Sequence, residues 1–312
     1  MLSSHPVEPL ADPVTPVPVA AVHADPVPDD AVRTEPTLSV IVCCYTERRR
    51  RLLDAAIAEV RAQLGPADEL REGAGRPVFC FTGAGASALT FVPFADRIGE
   101  LDAIGSVFAF APHGLDTRGI PDWTVDAAVR RHLRDLRRIQ PEGPYILVGH
   151  SLGGFIALET ARRLEADGHR VDLVVVVDTF VPPRVLHRAK RADPSLTTTT
   201  TYEPLPRKEL WRRRIRVPLA GVVRTSPTAD AQALEELGVR VARLHRPRPY
   251  TGRALVVQGS ENRDDPSVWR RHIVTGDVDV LRLECDHLSV VREPHIGDVV
   301  DAIGAALGQP QP

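Results

Sequence analysis

The stretch YILVGHSLGGFIALE, residues 145–159, runs an apolar segment straight into Gly149-His150-Ser151-Leu152-Gly153 and then into a helical pattern. Gly-x-Ser-x-Gly alone is weak, because a chain this long contains one by chance about one time in ten. Its setting carries more. A strand that turns sharply into a helix at a serine leaves the hydroxyl standing above the sheet, and the two glycines remove the side chains that would clash there. The helix start beyond it offers free N–H groups and the positive end of a dipole. That is the equipment for nucleophilic attack on an acyl carbon. A serine needs a base, and the base needs an acid to orient it. Of the 11 histidines, only His287 and His295 come after the last strand-like run, VDVLRLEC. His287 stands directly at that strand's end, whereas His295 comes after Pro294 at a helix start and reads as a cap or surface residue. Asp178 ends the strand after the serine's helix and is the preferred acid. Glu261, one strand later, is the alternative, and Asp286 is too close in sequence to fold back onto its neighbour's ring. His150 reads as structural, its side chain directed away from that of Ser151. An oxyanion would need two donors: the Leu152 N–H, and one from the glycine turn FTGAGA, with Ala84 the best placed. A phosphate loop is the other reading of that turn, but it lacks the P-loop lysine and the dinucleotide spacing.

These residues need elements to carry them. From Arg76 onward strands and helices alternate: PVFCFTG, then TFVPFADRIGEL; SVFAFA, with PHGLD as its exit loop; VDAAVRRHLRDLRRIQ; YILVG; GGFIALETARRLEADG; VDLVVVVD. Short, continuously apolar strands joined by helices predict a parallel sheet covered on both faces, with ligands beyond the carboxyl ends of its strands. The alternation stops after Asp178. Residues 181–250 are rich in Pro, Arg and Thr, with helical stretches near Leu210 and Ala229, and an insertion of that length predicts a lid. RALVVQG and VDVLRLEC resume the sheet, and a last helix runs from about His295 to Leu307.

Upstream, residues 1–36 hold eight of the 28 prolines and predict an extended, disordered arm. Residues 37–72 read as a strand (LSVIVCCY), an amphipathic helix and a linker, leaving 73–312 as the main domain. Composition excludes several classes. A formal net charge of −2 argues against a nucleic-acid partner, and no apolar run approaches a membrane span. Residues 1–30 lack the pattern of a signal peptide, so a cytoplasmic location is expected. Cys43, Cys44, Cys80 and Cys285 show no metal-ligand or redox spacing and read as buried free thiols.

Four separated blocks, in order, resemble the thioesterase domains of nonribosomal peptide and polyketide synthases: PVFCFTGAGASALTFVPFADRIG, GPYILVGHSLGGFIALETARRLEADGHRVDLVVVVD, HRPRPYTGRALVVQG and TGDVDVLRLECDHLSVVREPHI. The resemblance implies an α/β-hydrolase fold, a mostly parallel doubly wound sheet with a lid insertion, and an acid where Asp178 stands. It implies transfer of a chain from the phosphopantetheine of an acyl or peptidyl carrier protein to Ser151, then release by water or an internal nucleophile, with no metal or bound cofactor. The lid would cover the acyl chamber and receive the carrier. Two residues depart from the family pattern: Thr82 stands where a proline is usual and Ala86 where a second glycine is usual. Residues 1–72 show no Asp-Ser-Leu motif of a carrier domain, so the expectation is that the carrier is met in trans or that the chain is the end of a separated assembly line. A stand-alone editing (type II) thioesterase, a small-molecule carboxylesterase and a non-catalytic hydrolase-fold binding module are the alternatives. Residues 38–63 resemble the opening of family 2 glycosyltransferases, but the chain beyond residue 63 lacks their acidic metal-binding motif, so glycosyl transfer is not implied.

Overall fold

The computed structural model describes residues 68–308, except 117, 199–210, 212–216 and 224–225. The proline-rich arm, the LSVIVCCY strand, its helix, Cys43, Cys44 and the helical stretch at Leu210 therefore lie outside the described residues. Among the described residues, seven strands form one sheet: β1 (Asp68–Arg71), β2 (Arg76–Phe81), β3 (Ile104–Phe110), β4 (Tyr145–His150), β5 (Val171–Val177), β6 (Ala254–Gln258) and β7 (Val278–Arg282). Their order is β1-β3-β2-β4-β5-β6-β7, with β1 antiparallel to β3 and every other pairing parallel. Six α-helices of seven residues or more occur among the described residues: α1 (Val92–Ile98), α2 (Val125–Ile139), α3 (Leu152–Ala166), α4 (Pro183–Ala192), α5 (Pro227–Leu244) and α6 (His295–Gly308).

Every residue of β4 and β5 is buried, as strands covered on both faces must be. Alternation splits them between two cores. Phe79, Phe81, Leu147, Val174 and Val176 pack with α2 and α3 on one face. Val78, Cys80, Ile146, Val148, Val175 and Val177 pack with α1 and α6 on the other. The parallel register sets Gly149 beside Phe81 and His150 beside Val177, so the chain segments leaving β2, β4 and β5 emerge together at one sheet edge. Among the described residues no helix is long and apolar enough to cross a membrane.

Two segments differ from the sequence reading. Residues 65–75, read as a linker, contribute β1, so the sheet reaches back beyond residue 73 to Asp68. With the sequence DELR this strand has no apolar period to announce it. It is held by pairing with β3 and by Arg71, whose guanidinium donates to the carbonyls of Gly105 and Gly99 at 3.1 Å each. Within the lid, α4 was not anticipated. It starts at Pro183, a favourable first helical position, and turns Val185, Leu186 and Ala189 toward the core, a stripe of only three apolar positions in a stretch otherwise rich in Pro and Arg. In contrast, α5 is capped by Ser226, whose hydroxyl accepts the Ala229 N–H at 3.3 Å.

Candidate active site

Ser151 joins β4 to α3 with φ 55° and ψ −121°, a region that non-glycine residues rarely occupy. The turn is pinned from both sides: Ser151 N–H donates to Val177 O at 2.9 Å, and Thr179 Oγ1 donates to Ser151 O at 2.7 Å. A Cβ on Gly149 would collide with the Gly153 carbonyl, and one on Gly153 with the Phe81 carbonyl. Leu152 is the first residue of α3, and its N–H donates to no acceptor among the described residues.

Asp178 comes directly after β5, is fully buried and has φ 46°. Its Oδ1 accepts the Gly259 N–H at 2.9 Å, and its Oδ2 meets His287 Nδ1 at 2.7 Å. Burial pushes this carboxyl's pKa up, but the hydrogen bond and charge of His287, the Gly259 N–H and the Asn262 side chain together hold it below the usual carboxylate value. The loop after β6 is built to keep that arrangement. Asn262 Nδ2 donates to Thr179 O at 3.2 Å, Gln258 Nε2 to Asp264 O at 2.9 Å, and Asp264 Oδ2 accepts Val181 N–H at 2.8 Å. Glu261, the alternative acid, is exposed on the same loop. Asp286 accepts from Leu288 N, Ser289 N and Ser289 Oγ, so it caps the turn after His287. His295 begins α6.

The sequence reading missed what His150 touches. Its ring lies 4.7 Å from that of His287, tilted by 31°, and its Nε2–H donates to the His287 carbonyl at 2.9 Å. A carbonyl only accepts, so Nε2 carries the proton and Nδ1 is bare; that buried nitrogen has no partner. Burial, with His287 adjacent, pushes the His150 pKa down to about 4. No motif spacing announces this contact, since 137 residues separate the two histidines. The Phe180 ring also packs on His287, at 5.3 Å and tilted by 45°. Thus His287 is brought to Asp178 and braced by His150, while no hydrogen bond joins His287 to Ser151 Oγ. Such bonds are often long before substrate arrives.

Gly83 lies against both Ser151 Cβ and His150, which brings the glycine turn to the serine. Thr82 donates to Phe110 O at 3.2 Å through both its N–H and its hydroxyl, continuing the β2–β3 ladder where a proline would donate nothing. Ala86 N–H closes the turn on Gly83 O. Ala84 N–H has no acceptor among the described residues. The lid rests on this turn: a Cβ on Gly85 would meet Ala231 O at 2.7 Å, and a Cβ on Gly238 would meet Ala84 Cα at 2.9 Å. Beneath α5, Ala84 and Leu152 open onto a cavity of about 40 Å³. Cys80 and Cys285 are buried free thiols; burial pushes Cys285 up to about 11. Among the described residues no group of three His, Cys, Asp or Glu side chains could hold a metal ion.

A serine on a strained strand-to-helix turn, at the carboxyl edge of a mostly parallel, doubly covered sheet with a histidine–aspartate pair, defines an α/β-hydrolase. Its family emerges from comparison: the model of the thioesterase domain matches residues 76–307, and the chain belongs to that family. Enterobactin synthase component F of Escherichia coli O157:H7 is 27% identical over 247 residues, which is 77% of this chain and 18% of that protein. Malpinin synthetase of Mortierella alpina is 25% identical over 67% of this chain and 2% of its own length. The chain thus corresponds to a small part of each of these synthetases. Among solved structures, the NocB thioesterase domain in covalent complex with a fluorophosphonate nocardicin G analogue superposes with a TM-score of 0.56 at 24% identity, covering 76% of this chain and 96% of that one. The type II thioesterase BorB gives 0.55 at 21%, covering 77% and 97%. The family match begins at residue 76, and the glycosyltransferase resemblance of residues 38–63 finds no support in these comparisons.

Proposed function

We propose that this protein releases an acyl, polyketide or peptidyl chain from the phosphopantetheine thioester of a carrier protein, through an acyl intermediate on Ser151. The observation that carries this reading is the 2.7 Å bond between His287 and Asp178, set beside the strained Ser151 turn. His287 Nε2 takes the Ser151 proton as Oγ bonds to the thioester carbon. The resulting oxyanion lies between the uncommitted N–H groups of Leu152 and Ala84. Collapse breaks the carbon–sulfur bond, and the imidazolium returns its proton to the departing pantetheine thiolate. Water, or a nucleophile within the chain, then attacks the ester; His287 removes its proton and hands it to Ser151. Asp178 keeps Nδ1 protonated throughout and supports the transient positive charge.

The test is intact-protein mass after brief exposure to an acyl-pantetheine thioester. An increase equal to the acyl group in wild type, absent in Ser151→Ala, is the expected result. The free product then separates hydrolysis from cyclisation. Turnover of oxygen esters with indifference to any loaded carrier would instead make it a carboxylesterase. No adduct and no turnover with several acyl groups would leave a binding module.

A further inference from the structure

Among the polar side chains that line the cavity behind Ala84 and Leu152, His132 stands apart because it has no hydrogen bond among the described residues. His132 lies on α2, on the same face as Val125 and Ala128, which also line the cavity. It is only 5% exposed, and its ring packs 5.0 Å from Phe110 and 5.7 Å from Phe81. Phe81 is the register partner of Gly149, two residues before Ser151, so the aromatic pair that His132 packs on lies on the strands just short of the nucleophile.

The other polar side chains on this wall are occupied. Thr82 donates to Phe110 O, Thr124 accepts the Ala127 N–H, and Asp122 pairs with Arg131 at 3.2 Å. His113 is bonded to the Ile120 carbonyl at 2.8 Å. His132 makes no hydrogen bond among the described residues. Its nitrogens are not sealed away either: the fully buried, unpaired polar atoms include His150 Nδ1 but neither nitrogen of His132. Burial pushes its pKa down to about 4, so at neutral pH it offers one donor and one acceptor. A leucine or phenylalanine would fit this aromatic surround without leaving a polar group unpaired.

We propose that His132 is a specificity-determining residue that selects chains bearing a hydroxyl or carbonyl at its depth over saturated chains of equal length. This rests on the thioesterase reading above. At about 40 Å³ the cavity has room for a few waters, and the polar group of a chain that enters it replaces water at the imidazole.

The test compares kcat/KM for N-acetylcysteamine thioesters of octanoate and of hydroxy- and oxo-octanoates with the oxygen moved one carbon at a time. Wild type is expected to favour one or two adjacent positions by about 10- to 100-fold over octanoyl. His132→Leu brings that ratio to about one, and His132→Gln, which keeps a donor and an acceptor, restores part of it. A measurement independent of the variants is the ring-nitrogen NMR shift of His132, expected to move with the favoured hydroxy acid and not with octanoate. No preference at any position, or a preference that His132→Leu leaves intact, overturns the assignment. Failure of wild type to cleave any thioester, acetyl included, overturns the thioesterase reading itself.

Discussion

Ser151 and Asp178 both sit at positive φ without being glycine, and both do so one residue beyond a buried strand. Each side chain thereby leaves the sheet's alternation and lies at its carboxyl edge. Asp178→Asn keeps an oxygen for the Gly259 N–H and tolerates the left-handed backbone, but it offers His287 a donor where an acceptor is needed. Thioester turnover is expected to fall by about 10³- to 10⁴-fold, with a melting temperature close to wild type. Parallel kinetics and thermal melts check this, and a wild-type rate would remove Asp178 from the reaction. Chain order and strand ends singled out Ser151, His287 and Asp178 as candidates in the sequence, and the structure brings His287 to Asp178. The strand ends also favoured Asp178 over Glu261, because Asp178 ends its strand without a gap; that the one is buried and the other exposed needed the fold. The bracing role of His150 was not legible, since it depends on where a loop far along the chain crosses the end of β4.

At the scale of elements, the elbow depends on backbones packed closer than any side chain allows. Gly153→Ala sets a methyl against the Phe81 carbonyl in a stretch fixed by sheet pairing on both sides. It is expected to destabilise the fold by about 3 kcal/mol or more, read from denaturant midpoints. The contact between α5 and the glycine turn joins two segments that no strand pairing ties together. Gly238→Val is expected to push α5 off Ala84 and slow acylation by about tenfold or more, with little change in melting temperature. Stopped-flow acylation against thermal melts separates the two effects, and an unchanged acylation rate would show that the turn does not depend on the lid. Elements with a strong apolar period, such as β4, β5 and α2, were readable in advance. The strand β1 was not, because pairing with β3 holds it rather than its own pattern, and α4 was not, because its stripe of Val185, Leu186 and Ala189 is short and set in a Pro- and Arg-rich stretch.

For the molecule as a whole, two buried imidazoles tie stability to pH. His132 and His150 are both held near a pKa of 4 by burial, against an ordinary value of 6.5. The unfolded chain takes up these two protons below pH 6.5, whereas the folded chain resists them until about pH 4. Stability is therefore fully present above 6.5 and falls as the pH drops through that window, by up to about 1.4 kcal/mol per pH unit for each imidazole. Urea midpoints at pH 7 and pH 5 test this, and His132→Leu should reduce the dependence. Equal midpoints for wild type at both pH values would contradict it.

The short strand β1 bears on how the protein behaves at high concentration. Without it, β3 would present a bare row of N–H and C=O groups along the largely apolar IGSVFAF, a template for strand-to-strand association between copies. The charges of Asp68, Glu69 and Arg71 now stand along that border. A chain trimmed to begin at residue 73, where the sequence pattern places the start of the domain, is expected to self-associate and precipitate. One beginning at residue 67 should stay dispersed, and light scattering of the two side by side distinguishes a solubility guard from a dispensable fringe.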